Sequence, residues 1–345
     1  MKTFIRRTAF GALALSAIAA IGAVSAKAET LTLSTWVPAT HFIHTDFLLP
    51  FTKQVEEATG GRVTISILPA PLGSPPQHWE LARTGVADIT WGNFTYEPER
   101  FKTIWFAEFP NAGTNAEAQS CALWRTYETY LADQPAYRGV KMLAVGMLGG
   151  GQLHHGSKVV LSPDDIANQK FRMGGPIQEK LLSALGAVPV AAPAPKAYEM
   201  LDANVIDGSL HPMESIVNFR LEESLPHHTI FPKGLYDGTF FFAMNEAKWD
   251  SLSDADKAAI NKVSGESLSA IWGQNFDAQS AAAVEKLKAE GHDFVDASPE
   301  LVDAVDKVYG TMVSDWIESA KSAGLADPQG VLDFYMTTYQ DLAAK

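Results

Sequence analysis

The chain reads as an α/β protein of two lobes with a long helix shared between them. Three observations predict this. Short β-branched runs alternate with helical patterns, the order that builds largely parallel sheets covered by helices. Two stretches about 120 residues apart, PAPLGSPPQHWELARTGVADITW (69–91) and PAPKAYEMLDANVIDGSL (193–210), carry the same features in the same order. A proline-free run from Ser253 to about Gly291 has helical spacing and, unbroken, would be roughly 55–60 Å long, wider than one small lobe.

The elements follow in order. Residues 1–28 carry Lys2, Arg6 and Arg7, an apolar stretch and then Ala26-Lys27-Ala28, the pattern of a cleavable secretory signal peptide. The Arg6-Arg7 pair matches the twin-arginine motif poorly, and no cysteine follows for a lipid anchor. LTLSTW (31–36) is a strand, TDFLLPFTKQVEEATGG a helix closed by Gly60-Gly61, and RVTISILP (62–69) a second strand. The helix HWELART leads into the strand ADITWG (87–92).

In the two similar stretches a Pro-Ala-Pro precedes a helix containing Glu80 or Glu199, then Gly85 or Asn204, then Val86-x-Asp88 or Val205-x-Asp207. Gly and Asn are the residues best able to end a helix in the left-handed conformation. The match reads as a structural repeat, one copy per lobe, or as chance similarity of short segments. MLGGGQLHHGS (147–157) is a glycine-rich loop where backbone can approach a ligand or a lobe. Within NQKFRMGG (168–175), a strand would place Phe171 and Met173 on one face and Arg172 on the other, ending at Gly174-Gly175. Gly265 and Gly273 allow the long helix to bend or break, at about 1 kcal/mol each.

Composition narrows the function. Removing 28 of 345 residues leaves 317, enough for one large or two medium domains. Loss of four positive charges with the signal takes the formal charge from −13 to −17, a sign that repels nucleic acid and anionic lipid. An anion site here needs locally concentrated donors. Cys121 is the only cysteine, so no intramolecular disulfide forms, and stability comes from a core. The pairs His154-His155 and His227-His228 lack metal-ligand spacing and read as loop histidines; no metal and no cofactor is expected. Asp164-Asp165 after Ser162-Pro163 read as a helix cap with an acidic first turn. No nucleophile elbow, phosphate loop or Cys-His pair appears, which argues against an enzyme. Trp36, Trp91, Phe94 and Tyr96 fall at or just after strand ends, where open sheets bind ligands; each is equally readable as core.

FTKQVEEATGGRVTISILPAPLGS, SPDDIANQKFRM, ALGAVPV, YEMLDANVIDGSLHP and MNEAKWDSLSDADKAAI run through nearly the whole mature length. With these the chain resembles the DctP-like solute-binding proteins of tripartite ATP-independent periplasmic (TRAP) transporters. The resemblance implies a periplasmic binding protein of two α/β lobes joined by crossing strands and a long shared helix, closing on its solute like a flytrap. It also implies delivery of an organic acid to small and large integral membrane subunits that use an ion gradient.

Chain crossings are placed near residues 150 and 235 and within the long helix. That gives lobe I as 29–150 plus about 237–275 and lobe II as 151–236 plus about 276–345. The arginine of the family's K-x-R element is implied to hold the solute carboxylate, and here it is Arg172. Tyr236 and Asp237 join Trp36, Trp91, Phe94 and Tyr96 in the expected ligand set.

Three departures bear on the solute. Gln152 stands where many relatives carry a second arginine, His211 where many carry asparagine, and Ala194 where many carry an aromatic ring. The reading is a mid-sized monocarboxylate with a largely neutral, aromatic or extended body. His211, with an unperturbed pKa near 6.5, is expected to make affinity vary between pH 5.5 and 8. The alternatives are a secreted α/β enzyme acting on organic acids and a ligand-sensing partner of a sensor kinase.

Overall fold

The computed structural model describes residues 28–110 and 112–345, so the expected signal peptide lies outside it except for Ala28. Among the described residues eleven strands form two sheets. Their order is β1 (Glu29–Ser34), β2 (Val63–Ile67), β3 (Ile89–Asn93), β4 (Val140–Met147), β5 (Gln152–His155), β6 (Lys170–Met173), β7 (Val188–Ala191), β8 (Gly208–His211), β9 (His227–Ile230), β10 (Thr239–Asn245) and β11 (Asp293–Asp296). The first sheet runs β2-β1-β3-β10-β4 and the second β11-β9-β5-β8-β6-β7.

Each sheet starts as a parallel unit and then accepts one strand from the other side of the molecule. β10 pairs antiparallel with β3 and β4, and β5 pairs antiparallel with β8 and β9. The chain therefore crosses between sheets after β4 and again before β10. The two crossing runs touch, with Gly151 N donating to Tyr236 O at 2.7 Å and Leu235 N to Gly151 O at 3.0 Å.

The similar stretches are a structural repeat. β1, β2 and β3 adopt the order β2-β1-β3, and β6, β7 and β8 the order β7-β6-β8. The six-residue helices His78–Arg83 and Ala197–Asp202 end at Gly85 (φ 75°) and Asn204 (φ 53°). Val86 N donates to Leu81 O at 2.9 Å, as Val205 N does to Met200 O at 2.8 Å. The aspartates match too: Asp88 accepts from Thr32 N at 2.7 Å and Asp207 from Lys170 N at 2.8 Å.

The long helix is shorter than its sequence pattern. Helix Asp254–Lys262 stops, Gly265 takes φ 74°, and a 24-residue helix runs Glu266–Ala289, about 36 Å long. The break is where a residue with positive φ is needed, and glycine supplies it without steric cost. This helix does serve both sheets. Leu268, Trp272 and Phe276 enter the main core, whereas Ala283 and Leu287 pack with Ile216, Leu221 and Leu225 in a second cluster. Gly273 makes the first contact possible, since a Cβ there would lie 2.3 Å from Ala116 O.

Two other expectations change. His154-His155 and His227-His228 are strand residues, on β5 and β9, with His154 opposite His228 in the register. Their rings are stored in hydrogen bonds: His154 Nδ1 lies 2.7 Å from His228 Nδ1, and His228 Nε2 lies 3.0 Å from His292 Nδ1. The segment 276–345, expected with lobe II, is divided. Helix Pro299–Ser322 touches both sides, through a Lys180–Asp315 ion pair at 2.6 Å and a Trp316 Nε1 bond to Lys102 O at 3.0 Å. Helix Pro328–Ala343 returns to the first lobe, burying Val331, Leu332 and Tyr335, with the Tyr335 ring 5.2 Å from that of Phe106. An apolar helical stripe shows that a face is buried; it does not show against which lobe.

Candidate functional site

The repeat brings the carboxyl ends of β1, β3, β6 and β8 to one cleft, where open α/β sheets bind ligands. Trp36 follows β1, Asn93 and Tyr96 lie at and after the end of β3, and Gly174 follows Arg172 in β6. His211 ends β8, and Glu214 opens the helix Met213–Asn218. These residues, with Leu148, Phe219, Tyr236, Phe240 and Phe276 among others, line a cavity of about 50 Å³.

Arg172 is 4% exposed and held from behind, with Nε donating to Ala192 O at 2.8 Å and Nη1 to Leu210 O at 3.0 Å. The guanidinium lines the cavity beside Tyr96, whose hydroxyl is also within hydrogen-bonding reach of it. Burial lowers its pKa, and Tyr96 and Tyr236 beside it pull the other way. Among the described residues no acidic side chain forms an ion pair with it. A buried cation without a partner is costly, and an anion entering the cleft would supply one.

His211 lines the same space and is 1% exposed. Burial, and then the positive charge of Arg172, hold its pKa well below 6.5. Both causes disfavour the protonated imidazole, against the titration expected of a free histidine. Its Nε2 has no hydrogen-bond partner, and neither does Nε1 of Trp36. Tyr96 bridges the lobes: its hydroxyl accepts from Ala194 N at 3.1 Å. The lobes touch again at Gly175, where a Cβ would stand 1.7 Å from Thr95 Oγ1.

Of the expected ligand set, Arg172, His211, Trp36, Tyr96 and Tyr236 meet at the cavity, together with Ala194. Four others lie elsewhere. Gln152 faces a different cavity and spends its amide on the crossing chain, accepting from Phe231 N at 2.7 Å and donating to Phe231 O at 3.3 Å. Trp91 is fully buried behind Trp36, ring centroids 4.3 Å apart, with Nε1 bonded to Thr35 Oγ1. Phe94 is fully buried core, edge-on to Phe101 at 4.7 Å. Asp237 ties the crossing strands, accepting from Leu148 N (2.9 Å), Gly150 N (3.1 Å) and Gly238 N (2.7 Å).

Glu214, Ser215, Phe219, Gln178 and His41 also line the cavity, and sequence reasoning passed over them. One signal was present: Glu214 and Ser215 lie just past the carboxyl end of the strand in the second repeat copy. Among the described residues no group of three or more His, Cys, Asp or Glu is placed to hold a metal ion, and no helix is long and apolar enough to cross a membrane.

Two α/β lobes joined by crossing strands, with a cavity lined by residues of both, have the architecture of a cleft-type binding protein. The chain belongs to the bacterial extracellular solute-binding protein family 7 (DctP), whose sequence model matches residues 33–319. Members of this family are solute-binding receptors that work with membrane permease subunits.

Solved structures agree. The chain is 35% identical to a TRAP periplasmic solute-binding protein from Bordetella bronchiseptica crystallised with (R)- and (S)-mandelate, with a TM-score of 0.87 over 91% of this chain and 99% of that one. It is 30% identical, with a TM-score of 0.85 over 91% and 99%, to a TRAP solute-binding protein from an unidentified marine microbe, specific for aromatic acids and bound to 3-hydroxybenzoate. The outer membrane transporter protein TsaT of Comamonas testosteroni is 26% identical over 83% of this chain and 84% of its own length.

Proposed function

We propose that this chain captures an aryl or similarly extended monocarboxylate in the periplasm and delivers it to the membrane subunits of a TRAP transporter, without chemical turnover. The observation that carries the reading is Arg172, buried and charged with no acidic partner. Its planar guanidinium suits the paired oxygens of a carboxylate. Around it the wall is apolar and aromatic, through Trp36, Leu148, Phe219, Phe240 and Phe276, the composition of pockets that bury most of a ligand. One guanidinium favours one carboxylate. The aromatic acids bound by the two similar crystal structures support the same class. A cleavable leader at 1–28 accounts for export.

Calorimetry on the mature protein with mandelate, benzoate, 3-hydroxybenzoate, succinate and malate tests the reading. At least one aryl acid is expected to bind in a one-to-one ratio, unchanged on recovery. A ligand at a hundredfold excess over its Kd should add about 2.7 kcal/mol of stability. Tight binding of succinate or malate with no aryl acid bound would overturn the ligand class.

A further inference from the structure

We propose that Glu214 reads a neutral oxygen, hydroxyl or carbonyl, carried by the solute away from its carboxylate. This rests on the aryl monocarboxylate reading above and adds a selectivity that Arg172 cannot supply.

Glu214 lies in the cavity wall and is 3% exposed. Ser215 Oγ donates to its Oε1 at 3.0 Å, and Oε2 has no hydrogen-bond partner. Burial pushes its pKa up to about 8, against the opposing pull of Ser215 and Asn218, so at neutral pH the group is mainly a carboxylic acid. With Oε1 already bonded to Ser215, Oε2 is the oxygen free to carry the acid proton toward a ligand, and it has no protein partner. Buried polar groups in native structures are nearly always satisfied, and an oxygen on the solute completes this one.

Position makes it a second pole rather than part of the carboxylate site. Glu214 stands on the helix Met213–Asn218 that follows β8, whereas Arg172 stands on β6 opposite Ser209, so the two reach the cavity from different elements. His41, Tyr96, Arg172, His211 and Tyr236 are the other ionisable groups facing the cavity. Burial keeps His41 and His211 neutral above pH 6.5 and pushes the Tyr236 hydroxyl up.

The test compares phenylacetate with 3-hydroxyphenylacetate and mandelate by calorimetry. In the parent protein at pH 7 at least one oxygenated acid should bind tenfold or more tighter than phenylacetate, about 1.4 kcal/mol. In Glu214→Leu that ratio should fall to about one. Glu214→Gln keeps a donor and should retain part of the ratio. Between pH 7.5 and 9 the parent's preference should weaken as Glu214 ionises, while the Gln variant's should not. A ratio kept in the Leu variant would overturn the proposal. If that variant does not fold, an identical pH profile in the parent and the Gln variant would do the same. Failure of all three acids to bind the parent would instead count against the aryl-acid reading itself.

Discussion

Arg172 and Ser34 occupy equivalent places in the two repeat copies: Ser34 registers with Thr90, and Arg172 with Ser209. Ser34 Oγ serves structure, accepting from Leu72 N at 3.1 Å. Arg172 reaches past the strand end into the cleft, so the copies diverge in chemistry where the ligand would sit. Arg172→Ala should cost about 2–5 kcal/mol of binding, since it leaves a buried anion unpaired. Arg172→Lys should recover only part. An ammonium lacks the planar fork, and it cannot satisfy Ala192 O, Leu210 O and a carboxylate in the same geometry. Titration of both variants, each first shown to be folded by circular dichroism, decides this; parent-like affinity in either would remove the anchor role. Gly175 offers a steric counterpart. Its φ is −167°, which any residue adopts, so Gly175→Ala adds only a methyl group, placed 1.7 Å from Thr95 Oγ1. Lobe contact should be lost, with affinity falling at least about tenfold, or 1.4 kcal/mol. Small-angle scattering should show a more open molecule at saturating ligand.

The crossing strands are where an element, rather than a residue, carries function. Asp237 gathers three backbone N–H groups from the two runs and is 1% exposed. Asp237→Ala strands those donors, and each buried unsatisfied group costs about 1–3 kcal/mol. Thermal denaturation should show a loss of about 3 kcal/mol or more; a loss below 1 would mean that water or a shifted backbone takes over the bonds. The repeat was legible locally, through the shared Pro-Ala-Pro, helix and aspartate pattern, whereas the crossing strands followed from the family resemblance. Sequence reasoning placed Arg172 correctly at a strand end by alternation. It erred where local pattern is silent about distance. Trp91, Phe94, Gln152 and Asp237 are the right types near the right strand ends, yet each faces core or crossing backbone, because strand parity and packing across lobes choose the side. The helix 266–289 shows the same limit: periodicity marked its apolar face, and only the close approach of Gly273 to Ala116 O reveals which partner sets its position.

On the scale of the whole molecule, two sets of buried ionisable groups oppose each other and set a stability optimum. Burial holds His41 and His154 down at about 4, lowers His228 further, and with Arg172 keeps His211 well below 6.5. The unfolded chain protonates these near 6.5, so their contribution is present above that pH and is lost as pH falls from 6.5 toward 4. Burial raises Glu108 and Asp237 to about 7 and Glu214 to about 8. Unfolded, they ionise near 4, so their contribution is present at low pH and is lost as pH rises through 7 and 8. The histidines dominate on the acid side and the acids on the alkaline side. Stability of the ligand-free protein should therefore fall away on both the acid and the alkaline side, following the proton linkage relation. Thermal melts at fixed ionic strength from pH 4.5 to 9 read this directly. Glu214→Gln should flatten the alkaline limb, because it removes the highest of the three acid transitions, and leave the acid limb in place. A parent profile that rises steadily from pH 6 to 9 would mean that the buried acids are ionised in the folded protein, and the neutral cleft wall argued from them would go with it.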